Sequence, residues 1–184
     1  MSTLNIGPNM PMFDLFASNT NLVASGNHFM FVGGSFDTVV ATGGMEIIDA
    51  PLGNNTITTG SGNDYLFLSG GNNVVDARSG NNTIYDMANP GDTIVMPGAS
   101  HGFDSVIVTP GAEPFLDFKT ALAGTNWNNE PATLPSYIHV NSNAGGTSIS
   151  LSATANGAAT EIASRTNSVG PQWDLSTVLA HAVT

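Results

Sequence analysis

Gly53-Asn54-Asn55-Thr56-Ile57 is followed by Gly62-Asn63-Asp64-Tyr65-Leu66, Gly71-Asn72-Asn73-Val74-Val75 and Gly80-Asn81-Asn82-Thr83-Ile84. Each unit begins nine residues after the one before and has the order glycine, any residue, Asn or Asp, any residue, apolar residue. Gly, Asn and Asp accept the left-handed conformations of tight turns, and the β-branched residues that follow favour strands. The stretch therefore predicts one turn and one short strand in every nine residues.

The same period extends outward from this stretch. Towards the N-terminus, glycine recurs at Gly44 and Gly26, and Ser35 occupies the position between them. Seven successive units carry an apolar residue at the same position, and these are Met30, Val39, Ile48, Ile57, Leu66, Val75 and Ile84. Beyond residues 89–90 the motif recurs out of strict register at 91–94 and 102–106.

Two units make a coil of 18 residues, which predicts an all-β fold, a parallel β-solenoid or β-roll, with coils about 4.8 Å apart. Alternate apolar positions are expected to line opposite inner walls, with Met30, Ile48, Leu66 and Ile84 on one and Val39, Ile57 and Val75 on the other. We predict an N-terminal arm or cap over 1–25, the β-roll over 26–110, and a small β-rich cap with a short terminal helix over 111–184. A disordered Gly/Asn-rich linker is the alternative, but such linkers lack a fixed apolar period.

The charge balance limits the classes of partner. Only 9% of the residues are charged, and 3 Lys and Arg face 14 Asp and Glu, for a net charge of −11. Nucleic acid and anionic membrane surfaces are disfavoured because both need cationic side chains, whereas divalent cations are compatible with this balance. The chain has no cysteine, shows no secretory signal peptide over 1–11 and has no apolar run of about 20 residues, so we expect neither disulfides nor a membrane span.

The units resemble the RTX, or haemolysin-type, nonapeptide repeat, whose consensus is Gly-Gly-x-Gly-x-Asp-x-apolar-x. Residues 60–66 match it best. The resemblance implies that Ca²⁺ is bound by aspartate side chains and backbone carbonyls of successive turns, as suits a hard cation. The candidate metal ligands that it implies are Asp64, Glu46, Asp37, Asp92, Gly62 and Asn82.

The sequence departs from this consensus at the ligand position, which is an amide at Asn55, Asn73 and Asn82. An amide oxygen can bind Ca²⁺ but brings no charge, so we expect few ions. Arg78 also places a cation beside the turn that leads to Asn82. The alternative is an asparagine ladder that replaces the metal through hydrogen bonds from coil to coil.

The C-terminal region has a different composition. We predict a short helix over 113–122, strands over 136–140, 147–152 and 160–164, and a final helix over 175–182 with Asp174 as its N-cap. This order resembles the C-terminal target domain of type I secretion substrates. The resemblance implies export through an ABC transporter and a location outside, or on the surface of, a Gram-negative bacterium.

Motifs of catalysis are missing from the sequence. It contains neither His-Glu-x-x-His nor Gly-x-Ser-x-Gly, so we expect no enzyme. The leading hypothesis is a secreted structural protein that assembles with itself into a surface layer, fibre or biofilm matrix, with folding assisted by Ca²⁺. The alternatives are an ice- or polysaccharide-binding module that uses an Asn/Thr ladder (Asn54, Asn63, Asn72 and Asn81), and a small carrier of haem or metal.

Overall fold

The computed structural model describes residues 2–87, 89–144, 146–167 and 173–184. The chain winds into a parallel β-solenoid of about six turns with few helical residues, which confirms the predicted fold class. Strands are numbered below in chain order, and each coil contributes one strand to each of two sheets.

Within the described residues, one wall is a sheet of eight parallel strands. In spatial order they are β1 (Ser2–Ile6), β3 (Thr20–Ser25), β5 (Thr38–Thr42), β7 (Thr56–Thr58), β9 (Val74–Asp76), β11 (Thr93–Val95), β13 (Phe115–Asp117) and β17 (Ala182–Val183).

The second wall, as far as the structure describes the chain, has nine strands. In spatial order they are β2 (Met12–Leu15), β4 (His28–Val32), β6 (Glu46–Ala50), β8 (Tyr65–Leu68), β10 (Gly80–Asp86), β12 (Gly102–Val108), β16 (Ala159–Asn167), β15 (Gly146–Ser152) and β14 (Ile138–Asn143). The strands from β2 to β16 are parallel, whereas β15 pairs antiparallel with both β16 and β14.

The pairing register follows the period of the sequence. Thr38 pairs with Thr56, and Thr56 with Val74, so that each coil advances by 18 residues. Val74 then pairs with Thr93, and Thr83 with Ser105, because the connections around residues 87–91 and 97–101 contain extra residues. The out-of-register motifs in the sequence mark these two insertions.

Side chains alternate between the inside and the outside of the solenoid, as strand geometry requires. Both predicted inner walls are confirmed, because their seven apolar residues are fully buried: Met30, Ile48, Leu66 and Ile84 on the nine-stranded sheet, and Val39, Ile57 and Val75 on the eight-stranded sheet. Ile94 and Leu116 extend the apolar row of the eight-stranded sheet towards the C-terminus. Each such side chain contributes about 1.5–3 kcal/mol by leaving water.

The C-terminal cap contains α1 (Lys119–Ala123), a 3-10 helix (Pro131–Ser136) and α2 (Leu175–Ala180). The prediction of a helix over 113–122 was partly wrong, because residues 115–117 pair with β11 and the helix begins only at Lys119. The Asp174 N-cap is confirmed, since its side chain accepts from the backbone N–H of Thr177 at 2.8 Å. Gly145, in the predicted hairpin turn, lies outside the described residues. No helix in these described ranges is long and apolar enough to cross a membrane.

At the other end, residues 2–25 form β1, β2 and β3 and continue the two walls. They therefore take part in the coil before the glycine repeat begins. The boundaries proposed for the three segments stay a prediction.

Candidate metal centre

Two columns of buried polar side chains run along the solenoid, one on each side. The first column consists of His28, Glu46, Asp64, Asn82 and Asp104, and the second of Asp37, Asn55, Asn73 and Asp92. Each residue is at most 3% exposed. All but Asp92, which directly follows Gly91, lie at the third position of their unit, where the turn leads into the strand. The glycine period therefore also sets the spacing of the columns.

Within both columns, side-chain oxygens accept hydrogen bonds from the backbone of the preceding coil. In the first column, the backbone N–H of Glu46 donates to Oδ1 of Asp64 at 2.8 Å, and that of Asp64 to Oδ1 of Asn82 at 3.0 Å. In the second column, the backbone N–H of Asp37 donates to Oδ1 of Asn55 at 2.9 Å, that of Asn55 to Oδ1 of Asn73 at 3.0 Å, and that of Asn73 to Oδ1 of Asp92 at 2.7 Å. These bonds satisfy backbone donors that the turns would otherwise bury alone.

At the amide turns, the NH2 group of the side chain also has hydrogen-bond partners. The Nδ2 atoms of Asn55, Asn73 and Asn82 donate to the carbonyl oxygens of Leu52, Gly70 and Ala77, within the turns that precede them. The Asn82 amide also donates to Oδ1 of Asp104 at 2.9 Å. These three turns are therefore hydrogen-bonded within the protein itself.

The carboxylate turns differ, because each keeps one bare oxygen. In the described part of the chain, Oδ2 of Asp37, Asp64, Asp92 and Asp104 and Oε1 of Glu46 are buried without a hydrogen-bond partner. A buried carboxylate oxygen is costly unless a proton or a cation reaches it. Ca²⁺ takes carboxylate and carbonyl oxygens, so the donor set at these turns fits calcium, whereas the amide turns do not offer it free oxygens.

The structure brings together some of the predicted ligands and separates others. Glu46 and Asp64 are neighbours in the first column, one coil apart. Asp37 and Asp92 share the second column but are separated by the amide turns of Asn55 and Asn73. Two amide coils therefore keep these carboxylates from forming one site.

Two further predicted ligands, Asn82 and Gly62, have structural roles in the turns. Asn82 uses both halves of its amide within the protein. Gly62 lies where a Cβ would overlap the carbonyl oxygen of Gly44 in the coil before it. The absence of a side chain at Gly62 thus permits the close approach of coils beside the Asp64 turn.

Burial dominates the electrostatics of the first column. It raises the pKa of Glu46 to about 7, and His28 opposes this shift. It also raises the pKa of Asp64, and that of Asp104 to about 7, where Asn82 acts in the opposite direction. Without a cation, these carboxyls are protonated at higher pH than in an unfolded chain.

Sequence reasoning missed His28. Its Nδ1 lies 3.2 Å from Oε2 of Glu46, and its Nε2 lies 3.3 Å from the carbonyl oxygen of Gly7. The signal was present, because Gly26-Asn27-His28 begins like the other units and places the imidazole at the ligand position. The imidazole thus gives Glu46 a hydrogen-bond partner from the protein itself at the end of the first column.

Asp86 was also not predicted as a site residue. It ends β10, is 1% exposed, and pairs in register with Leu68 on one side and Val108 on the other. Burial raises its pKa to about 8, with further contributions from the neighbouring carboxyl groups of Asp92 and Glu113.

Across residues 2–87, 89–144, 146–167 and 173–184, no cluster of three or more His, Cys, Asp or Glu converges on a metal position, so a bound cation must also use backbone carbonyls.

With this geometry in place, one comparison with known proteins is decisive for the repeat. Residues 52–84 match the family model of the RTX calcium-binding nonapeptide repeat, in four copies. The RTX match contains the Asp64 turn and the three amide turns. Because repeats of this family are calcium-binding motifs, the match supports Ca²⁺ binding in general and assigns no particular ligand. No curated protein and no solved structure matches the chain. The RTX match does not extend to the C-terminal cap, where the resemblance to a secretion target domain stays a prediction.

Proposed function

We propose that this chain is a secreted, calcium-assisted structural protein that assembles with copies of itself into a layer, fibre or matrix outside the cell. RTX repeats are typical of secreted proteins, and the carboxylate turns supply oxygens of the kind that Ca²⁺ prefers. Self-assembly rests on a separate observation at the N-terminal end of the solenoid.

That observation is a set of exposed apolar side chains on the outermost described strands of the solenoid. Among the described strands, β1 and β2 are the outermost members of the two sheets. Leu4 on β1, Met12 on β2 and Phe16 directly after β2 are 39%, 62% and 73% exposed. An edge strand with free backbone groups is a template for further pairing, and exposed apolar residues increase the gain from covering it.

A second copy of this chain is the occupant that we propose for this end. Another coil added in parallel would continue the 18-residue stacking. Because each copy carries a net charge of −11, a divalent cation that reduces this repulsion should favour the contact. The C-terminal end differs, since the β14–β15 hairpin extends one sheet there. A contact between unlike ends does not close on itself and therefore produces fibres.

Light scattering and electron microscopy of the purified chain, with and without Ca²⁺, test this proposal. Met12→Lys places a charge on the outermost strand β2 and should shift the population towards monomers. Val74→Lys is the matched control, because Val74 is also exposed, at 41%, but lies in the middle of the eight-stranded sheet. The assembly proposal would be contradicted if the unaltered chain stayed strictly monomeric at high concentration, both with and without Ca²⁺.

Export through a type I ABC transporter is the second part of the proposal. It is supported by the capped helix α2, which lies where the resemblance to a secretion target domain places its terminal segment. Secretion of the full chain from a Gram-negative host with and without such a transporter tests it. Equal amounts of protein outside both strains would contradict it.

Polysaccharide adhesion is a second candidate function, and the outer face of the nine-stranded sheet favours it. Phe29 and Tyr65 are 43% and 41% exposed there, and the rings of Phe67 and Tyr85 stack with centroids 4.8 Å apart. Amphipathic aromatic rings on a flat face suit the apolar faces of sugar rings. Co-sedimentation with insoluble polysaccharides tests this, with Tyr65→Ala expected to lose binding and Val74→Ala to keep it.

The Asn/Thr ladder offered a different surface for the same function. Asn63 accepts the backbone N–H of Asn81 at 2.9 Å, and Asn54 and Asn72 adopt left-handed φ values of 64° and 62°. These asparagines thus have structural tasks in the turns, so we place the adhesion proposal on the aromatic face.

A further inference from the structure

Asp86 occupies a position that other coils give to apolar residues. In the nine-stranded sheet it stands in register with Leu68 and Val108, and Leu68 in turn with Ala50. Asp86 is 1% exposed, and both of its carboxylate oxygens lack a hydrogen-bond partner in the part of the chain that the structure describes. An ionised group in such a column needs a compensating charge or proton.

Asp92 is the acidic residue that follows next along the chain, since Asp86 ends β10 and Asp92 directly precedes β11. Oδ1 of Asp92 accepts from the backbone N–H of Asn73 at 2.7 Å, whereas its Oδ2 is buried and has no partner among the described residues. Besides burial, Asp92 contributes to the raised pKa of Asp86, as expected for two buried carboxyl groups that flank one connection. Two ionised carboxylates have no hydrogen to share, so side by side they require a proton or a cation between them.

The surroundings determine the charge that would balance this pair. Glu113 and Arg165 both act electrostatically on Asp86. Arg165 is 3% exposed, donates through Nη2 to Oε2 of Glu113 at 3.0 Å, and lies 3.9 Å above the ring of Trp173. Three carboxylates and one guanidinium leave two negative charges, which one divalent cation neutralises.

We propose that Asp86 and Asp92 bind a divalent cation of the Ca²⁺ class, at the junction between the last coils of the solenoid and the C-terminal cap. The inference rests on the proposed calcium dependence, but the site lies outside the nonapeptide consensus because Asp86 is not at a ligand position of the repeat. A hard cation needs further oxygen ligands besides the two carboxylates, such as backbone carbonyls or water.

Such a site couples cation binding to docking of the cap. Arg165 lies on β16 and Trp173 precedes α2, and both contact Glu113, which precedes β13. A bound cation removes the excess negative charge beside this cluster. The cap is therefore expected to be held more firmly in the presence of Ca²⁺ than in its absence.

Terbium luminescence in the full-length chain tests the proposal, because Tb³⁺ substitutes for Ca²⁺ and emits when a nearby indole is excited. Trp173 donates from Nε1 to Oε2 of Glu113 at 3.1 Å, which places an indole beside the proposed site. The unaltered protein should show sensitised Tb³⁺ emission that excess Ca²⁺ displaces. Trp173→Phe should abolish the emission, whereas Trp127→Phe should retain it.

Asp86→Leu is the decisive variant, since leucine already stands at the equivalent position in β8. It should fold in chelator, as checked by circular dichroism, and lose the Trp173-sensitised emission. Asp86→Asn, which keeps the shape of the side chain, should lose it too. Asp64→Asn is the matched control, because it alters a repeat turn and should leave the emission in place.

The possible outcomes separate this inference from calcium binding by the repeat. Full emission in both Asp86 variants overturns the proposed site. Loss of emission in Asp64→Asn, together with its retention in the Asp86 variants, assigns the cation to the repeat and overturns the junction site while calcium dependence stands. No Tb³⁺ emission and no Ca²⁺-dependent thermal shift in the unaltered chain overturns both.

Discussion

The backbone N–H of Asn73 donates to Oδ1 of Asp92 over 2.7 Å, and the side-chain amide of Asn73 lies 3.2 Å from the same oxygen. A neutral amide turn thus supplies two donors to the carboxylate turn of the next coil. Asn73 also donates to the carbonyl oxygen of Gly70, in its own turn. In this column, the amide therefore satisfies one carboxylate oxygen and one turn carbonyl together, through hydrogen bonds and without a cation.

Asn73→Asp should therefore make the fold depend more on calcium. In chelator, the variant loses its side-chain donors to Gly70 and Asp92 and adds a buried carboxylate beside another. We expect the free energy of unfolding to fall by about 2 kcal/mol or more. Saturating Ca²⁺ should restore most of the loss, because a ligand at about 100 times its Kd contributes about 2.7 kcal/mol. Urea unfolding in chelator and in Ca²⁺ measures both effects.

Asn72→Asp is the matched control for that experiment. Asn72 lies in the same turn, is exposed and has a φ of 62°, a conformation that Asp tolerates. The same change in charge should alter stability by less than about 0.5 kcal/mol. A loss at position 72 as large as that at position 73 would show that net charge, and not the buried ladder, explains the effect.

The reverse substitution, Asp64→Asn, should have the opposite sign. Oδ2 of Asp64 is buried and lacks a partner within the described residues, and burial raises the pKa of this carboxyl. An amide removes the charge and can donate to its own turn as Asn55 and Asn82 do. We expect about 1 kcal/mol more stability in chelator and a smaller stabilisation by Ca²⁺. Thermal unfolding with a calcium titration measures both, and an unchanged response to Ca²⁺ would remove Asp64 from the ligand set.

Stability of the metal-free protein should fall as pH rises from about 4 to about 8. Burial raises the folded-state pKa of Asp86 to about 8 and those of Asp104 and Glu46 to about 7, from ordinary values of 3.8 for Asp and 4.5 for Glu. Over this interval the folded state binds more protons than the unfolded state. The slope of unfolding free energy against pH is therefore negative.

Urea midpoints measured in metal-depleted buffers across this interval test the sign. Ca²⁺ should weaken or reverse the trend, because cation binding favours the ionised carboxylates that burial disfavours. Stability that rises with pH in the absence of metal would contradict the assignment of raised pKa values to these three groups.

The fold could be predicted from the sequence because turn residues and apolar residues repeat with one period. Ile57 and Leu66 lie nine residues apart, and the structure buries them fully on opposite walls. The period fails at residues 115–117, where a helix was expected. Leu116 pairs there with Ile94 in a sheet, so contacts distant in sequence outweigh a local helical pattern.

The candidate site was less predictable, because the consensus indicates only one position in each unit. Asp64 and Asp37 occupy that position and could be named. Asp86 lies at the end of a strand, and only the register with Leu68 shows that it enters an apolar column. The hydrogen bonds that separate amide turns from acidic turns depend on the stacking of coils, which composition does not determine.

Gly62→Ala should disrupt the stacking of coils next to the Asp64 turn. A Cβ at this position would overlap the carbonyl oxygen of Gly44 and come within 3.0 Å of the backbone nitrogen of Met45. Neither backbone atom can move without separating coils that hydrogen bonds hold about 4.8 Å apart. We expect a loss near the upper end of the range of about 1–3 kcal/mol typical of overpacked sites. Gly7→Ala is the control, since nothing lies within 4 Å of a Cβ there, and it should cost less than about 0.5 kcal/mol. Thermal unfolding of both variants in Ca²⁺ measures the difference, and equal melting temperatures would mean that the coils do not need a glycine at this contact.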